Sequence, residues 1–137
     1  MTGGDRAGAP AGSIRRILAG VADEDVCDLR TVGRVTGEWR TAELWFAAED
    51  ERVAFLSGGR ERADWVRNLQ AHPQAEVVID GRTFAGRAFF PEGTDREPRV
   101  RRLLAIKYQR WEEGRPLSGW ARTSLPVEIV LERVVEG

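Results

Sequence analysis

Leu29-Arg30-Thr31-Val32-Gly33-Arg34-Val35-Thr36-Gly37-Glu38-Trp39-Arg40 reads as strand, turn and the start of a second strand. Residues 29–32 alternate apolar and polar, as a half-buried strand does. Gly33 and Gly37 bracket the turn, and Arg40 opens a second apolar stretch through Leu44, Trp45 and Phe46. A hairpin of this kind commits the chain to antiparallel pairing. Its tip gathers Arg34, Thr36 and Arg40 beside backbone N–H groups freed by the turn. Guanidinium forks and turn amides match phosphate or carboxylate oxygens. Read alone, the tip is either a holder for the anionic part of a ligand or a solvated hairpin that carries arginine.

Working outward, strands are expected at about 26–33 and 40–48, then Val53 to Ser57 after the polar turn Glu49-Asp50-Glu51. Asp80-Gly81 is a strong turn signal between strands at Glu76–Asp80 and Thr83–Phe90, and Pro126–Val135 closes the chain as a strand. Helical spacing marks 12–22, with Ser13 as N-cap and Ile14, Leu18 and Val21 inward. A second helix over 62–71 has Trp65, Val66 and Leu69 on one stripe and stops at His72-Pro73. A third, charged helix covers about 94–113, with Val100, Leu103, Leu104 and Tyr108 inward and Asp95 to Arg102 as a solvated face. The pattern is mainly β (α+β): a small barrel of about six to seven antiparallel strands with helices at its openings.

The 137 residues, 42% hydrophobic and 31% charged, suit a single domain over 12–137 behind a flexible lead-in at 1–11. No apolar run approaches the roughly 20 residues of a membrane span. The first residues lack the apolar core of a signal peptide, so a cytoplasmic location is expected. A net charge of −1 argues against a general nucleic-acid binder. Cys27 and His72 each stand alone, which excludes an internal disulfide and any multi-cysteine metal site and argues against a zinc site or a Ser-His-Asp or Cys-His hydrolase. Cys27 is expected to be a small buried hydrophobe.

Further motifs follow the hairpin in order: Ser57-Gly58-Gly59, then Ala63-Asp64-Trp65-Val66-Arg67-Asn68-Leu69, then Ala71-His72-Pro73. Together with Gly33-Arg34-Val35-Thr36-Gly37 and Arg40, this series resembles the deazaflavin-dependent nitroreductase and quinone reductase family. That family lies within the wider split β-barrel group of pyridoxamine-phosphate-oxidase-like flavoproteins. The resemblance is strong over about 26–90 and looser from Lys107 to Leu131. It implies a split β-barrel, a homodimer, and binding of the deazaflavin coenzyme F-420, with FMN or a tetrapyrrole in related branches. It places the phosphate and polyglutamate tail on Arg34, Thr36, Gly37 and Arg40. Ser57, Gly58, Gly59, Trp65 and Asn68 would line the ring and ribityl region. Two positions depart from the pattern: Val35 stands where lysine is common, and Glu43-Leu44 where Pro-Leu is common, so Glu43 puts a carboxylate by the expected cofactor channel.

The implied activity is hydride transfer from reduced coenzyme F-420 to a quinone-like, nitro or other conjugated small molecule. The alternatives are an FMN-binding split-barrel oxidoreductase and a non-catalytic dimer that carries a cofactor or tetrapyrrole. Such chemistry needs an anchored tail and a flat apolar slot rather than a nucleophile or metal. Tyr108 is the candidate proton donor to the acceptor, with Lys107, Trp111 and Trp120 as the candidate acceptor pocket. Gly114 to Gly119, between the two tryptophans, is expected to be a mobile lid.

Overall fold

Along Cys27–Val32 (β1), Cys27, Leu29 and Thr31 are buried and the residues between them are not, the mark of a strand with one covered face. The computed structural model describes residues 11–135, so the expected lead-in lies outside the described residues except at the backbone of Ala11. The other strands are Trp39–Leu44 (β2), Ala47–Glu49 (β3), Arg52–Ser57 (β4), Gln74–Ile79 (β5), Arg82–Phe89 (β6) and Leu125–Val135 (β7). All pairings are antiparallel, in the order β2-β1-β5-β6-β7-β4-β3. The seven strands curl into a half-barrel, as the reading of a split barrel expects. Helices are Ala11–Val21 (α1), Asp64–Ala71 (α2, after a 3-10 turn at Arg60–Arg62), Arg96–Gln109 (α3) and Gly119–Thr123 (α4).

The inner face of the curl buries Leu29, Phe46, Phe55, Val77, Phe84 and Ile129, with Ile14 and Leu18 from α1 and Val66 and Leu69 from α2 packed on them. Each such side chain contributes about 1.5–3 kcal/mol relative to exposure. The curl is sharpened by a register shift between Ala85 and Gly86 on β6. A Cβ on Gly86 would stand 2.2 Å from the Val130 carbonyl oxygen, so this close strand approach requires glycine.

The strand expected over 40–48 divides at Trp45-Phe46. β2 pairs with β1 and β3 with β4, so these two residues join opposite edges of one sheet. The Phe46 backbone leaves the ladder because side chains of α3 take its polar groups. Its N–H donates to the Tyr108 hydroxyl (3.0 Å) and its carbonyl accepts from Lys107 Nζ (2.9 Å). The split of the barrel lies at this joint.

While α1 and α2 pack on the inner core, α3 and α4 cover the outer face of β3 and β4, where Val100, Leu104, Ala105 and Ala121 meet Ala47, Ala54 and Leu56. The run Asp95 to Arg102 is therefore solvated only in part: Asp95, Pro98 and Arg99 are exposed, while Arg96, Glu97 and Arg102 are half-buried. Arg101 is buried, pairs with Glu97 (2.8 Å) and donates to the carbonyls of Ala121 (3.0 Å) and Ser124 (2.7 Å). Arg96 reaches Glu128, which is 0% exposed under α3 and also accepts from Arg52 (3.0 Å). Arg99 pairs with Glu49. A buried carboxylate on the β7 outer face needs such partners, which is why the charges turn inward. The expected third helix ends early, at Gln109, with Arg110 in the left-handed region at φ 54°. Beyond Gly114–Ser118 the chain forms α4, capped by Ser118 Oγ accepting from the Ala121 N–H (3.1 Å).

Candidate functional site

The hairpin between β1 and β2 is closed by Gly33 N–H donating to the Glu38 carbonyl (2.7 Å) and Gly37 N–H donating to the Gly33 carbonyl (2.8 Å). Gly37 sits at φ 78°, where a Cβ would be strained. Thr36 Oγ1 accepts from the Glu38 N–H (3.2 Å) and stays at the tip. The fixed turn aims Arg34 across the end of the sheet toward α2.

Asn68 of α2 is the hub of this contact and is only 3% exposed. Its Nδ2 donates to Thr31 Oγ1 (3.1 Å), and its Oδ1 accepts from the Arg34 N–H (3.1 Å) and guanidinium (2.9 Å). The other terminal nitrogen of Arg34 donates to Asp64 Oδ1 (3.1 Å). Arg40 touches only Thr36 Oγ1, at 3.5 Å, and has no carboxylate within 4.0 Å among the described residues. Between hairpin and helix lies a cavity of about 460 Å³, lined by Arg34, Thr36, Arg40, Asp64, Trp65 and Asn68 among others. Its charge and its hydroxyl and amide groups suit one compact anion.

Strand register explains how Arg40 and Ala42 reach this cavity. Arg40 pairs with Thr31 and Ala42 with Leu29, so both share the inner face. Glu43 pairs with Asp28 on the opposite face and does not line the cavity, and Leu44 packs against the inner core. Asp64, Thr31, Thr41 and Ala42 line it without having been singled out in sequence. Period-two counting from Arg40 would have found Ala42, and helical spacing from Asn68 would have found Asp64.

The remaining residues gather elsewhere. Trp45 stacks on Tyr108 with ring centroids 4.4 Å apart and planes 3° from parallel, and meets Trp120 edge-on at 5.5 Å. Trp45 is 48% exposed. Gly58 lies beside Trp120, and Gly59 is exposed. Ser57 is buried and donates to the Arg60 carbonyl (2.9 Å). Trp111 lines a separate cavity of about 260 Å³ with Leu117 and Arg102.

Tyr108 accepts from the Phe46 N–H and donates to the Asp25 carbonyl (2.7 Å), which commits its single proton to backbone. Burial pushes the hydroxyl pKa up, against the Phe46 N–H. Lys107 Nζ donates to the carbonyls of Ala22 (3.0 Å), Glu24 (2.7 Å) and Phe46 (2.9 Å) and stands 3.7 Å from the Phe46 ring centroid. Burial lowers its pKa. Both residues hold the Trp45-Phe46 joint. Cys27 is buried, as expected, and burial drives its thiol up to about 12. Among the described residues no group of three His, Cys, Asp or Glu could hold a metal, and no helix is long and apolar enough to cross a membrane.

An antiparallel split barrel with an arginine-lined cavity at one sheet end defines the class by its fold, that of the split-barrel proteins. The family model for F420H(2)-dependent quinone reductases matches residues 10–132, and the chain belongs to that family. Among solved structures it is similar to an F420-H2 dependent reductase, at 20% identity and a TM-score of 0.61, covering 80% of this chain and 95% of that one. A candidate pyridoxamine 5′-phosphate oxidase from Listeria innocua gives 17% identity and a TM-score of 0.65, over 91% of this chain and 99% of that one. The heme storage protein HutZ from Vibrio cholerae gives 16% identity and a TM-score of 0.67, over 88% and 91%. These likenesses show the fold. No curated protein matches the chain.

Proposed function

We propose that the cavity between the hairpin and α2 holds the anionic end of coenzyme F-420, and that the chain is a reductase of quinone-like, nitro or other conjugated small molecules. The observation that carries this reading is Arg40, a guanidinium that lines a cavity of about 460 Å³ and has no carboxylate partner among the described residues. When bound, the reduced coenzyme supplies a hydride. The protein's part is to anchor and orient. Arg34 is pre-aimed by Asn68, and Arg40 and Thr36 add donors beside it.

Gly58 and Gly59 support a flat ligand near the second cluster. Neither has a positive φ, and a Cβ on Gly58 would meet Trp120 at an ordinary 3.7 Å. The fold therefore does not require glycine there, whereas close approach of a planar ring does. Trp45 and Trp120 offer that ring, or the acceptor, an aromatic wall. Arg40 and Trp45 are five residues apart along the β2 edge, about 17 Å of extended chain. A long ligand with an anionic end and a flat end can pass over that open edge.

FMN is the second reading, favoured by Val35, which is 88% exposed and offers no charge for a long acidic tail. A homodimer belongs to the proposal too. Trp39 is 44% exposed on the outer face, beside Arg30, where a second copy would cover it. The test is titration with oxidised coenzyme F-420 and with FMN, read by tryptophan fluorescence, followed by oxidation of reduced coenzyme with a quinone or nitroaromatic acceptor. Preference for the deazaflavin with acceptor-dependent turnover is expected. FMN preference moves the chain to the flavin branch, and binding neither leaves the non-catalytic carrier.

A further inference from the structure

We propose that Arg60 is a positioning residue, which holds Trp120 against the Ser57-Gly58-Gly59 turn and so sets the slot for the flat end of a ligand. The hold on Trp120 is independent of any cofactor, and its link to a deazaflavin ring rests on the function proposed above. Arg60 follows two glycines and sits at φ 53°, in the left-handed region that suits glycine. Gly58 and Gly59 precede it without a positive φ. An arginine kept where the backbone favours glycine is kept for its side chain.

That side chain joins separate segments of the fold. One terminal nitrogen donates to the Thr123 carbonyl (2.7 Å), and the other to both Glu92 carboxylate oxygens (2.8 and 2.7 Å). The Arg60 carbonyl accepts from Ser57 Oγ (2.9 Å), which ties the same residue back to the end of β4. Thr123 closes α4, a helix of five residues. So short a helix does not hold itself, and its last carbonyls have no partner within it. Arg101 takes the carbonyls of Ala121 and Ser124, and Arg60 takes the one between them in sequence. Glu92 also stands 3.8 Å from Arg101, so one carboxylate faces both clamps.

Trp120 is the aromatic residue that α4 carries. Its ring would lie 3.7 Å from a Cβ on Gly58, and it meets Trp45 edge-on at 5.5 Å. Through Thr123, Arg60 therefore fixes the aromatic wall relative to the glycine turn that faces it. Arg60 does not line the anion cavity, and both of its terminal nitrogens are committed. Its charge serves α4 rather than an anionic tail.

The experiment uses protein labelled with fluorotryptophan, each fluorine resonance being assigned by a single tryptophan-to-phenylalanine variant. Arg60→Gly removes the guanidinium and relieves the left-handed backbone, so its urea midpoint should stay close to wild type. Without any ligand, the Trp120 resonance should shift or broaden, with Trp45 following, while Trp39 and Trp65 stay in place. Arg60→Lys, which keeps a donor for the Thr123 carbonyl, should restore most of the Trp120 signal. The same proteins are then titrated with oxidised coenzyme F-420 and with its tail-free deazaflavin riboside. Arg60→Gly should weaken both by a similar factor, roughly three- to tenfold, the size of one lost aromatic contact. Arg40→Ala should weaken the coenzyme alone. An unmoved Trp120 resonance, tryptophan resonances that all move together, or wild-type riboside affinity in Arg60→Gly overturns the proposal. Where wild type binds neither deazaflavin, the function proposed above falls, and the fluorine signal alone decides the hold of Arg60 on Trp120.

Discussion

The side-chain carbonyl of Asn68 accepts from both the backbone N–H (3.1 Å) and the guanidinium (2.9 Å) of Arg34. One buried amide thereby fixes where a hairpin lies on a helix and where its arginine points. Asn68→Ala should remove both bonds and the one to Thr31, at a cost of about 2–3 kcal/mol, because buried donors lose their partner. Urea denaturation measures the loss, and the same variant should bind anionic ligands more weakly. A variant as stable as wild type would show that α2 docks through its apolar residues alone.

Arg40 presents the opposite case, a cavity arginine with no ion-pair partner among the described residues. Arg40→Ala should leave folding stability within about 0.5 kcal/mol, as surface changes without specific partners do. Cofactor binding should weaken by about 1.5–3 kcal/mol, the range for a charge-assisted bond. Calorimetric titration beside thermal unfolding separates the two, and unchanged affinity would take Arg40 out of the site.

Legibility in sequence followed the strength of local signals. The alternation at 27–32, the Asp80-Gly81 turn and the Pro126–Val135 strand gave the antiparallel sheet, because period two and turn chemistry are local. The break at Trp45-Phe46 was hidden, since what divides β2 from β3 is Tyr108 and Lys107 arriving from α3 some 60 residues on (61 and 62 positions away). Long-range capture of a backbone group leaves no trace in a short window. The same limit hid the inward turn of Arg96 and Arg101, which answers Glu128 on a distant strand and carbonyls beyond α3. In the candidate site the hairpin arginines were readable from the turn. Asp64 was not, because only docking of α2 brings it to Arg34.

Tyr108 is placed to hold the barrel joint. Tyr108→Phe should keep the stack on Trp45 while leaving the Phe46 N–H without its partner, costing about 1–2 kcal/mol. Turnover per folded molecule and its pH profile should not change. Stability equal to wild type combined with slowed turnover would instead make the hydroxyl a proton donor to the acceptor.

Acid should loosen the attachment of α3. The Gly93 N–H, and then Arg101, hold the Glu97 carboxyl below its ordinary range, and Arg99 does so first for Glu49, with Arg96 also contributing. A carboxyl whose folded pKa is depressed contributes stability that is fully present above its unfolded value, about 4.3, and lost as pH falls through the folded one. Urea midpoints should therefore show no contribution from these groups to any slope between pH 6 and 8, and a decline below roughly pH 4.3. Both side chains are partly exposed, so each contributes modestly, and the double variant Glu49→Gln, Glu97→Gln is the sensitive comparison. It should be less stable than wild type at pH 7, with the difference shrinking as pH falls below roughly 4.3. An acid decline as steep in the double variant as in wild type would place the acid-sensitive contacts elsewhere in the fold.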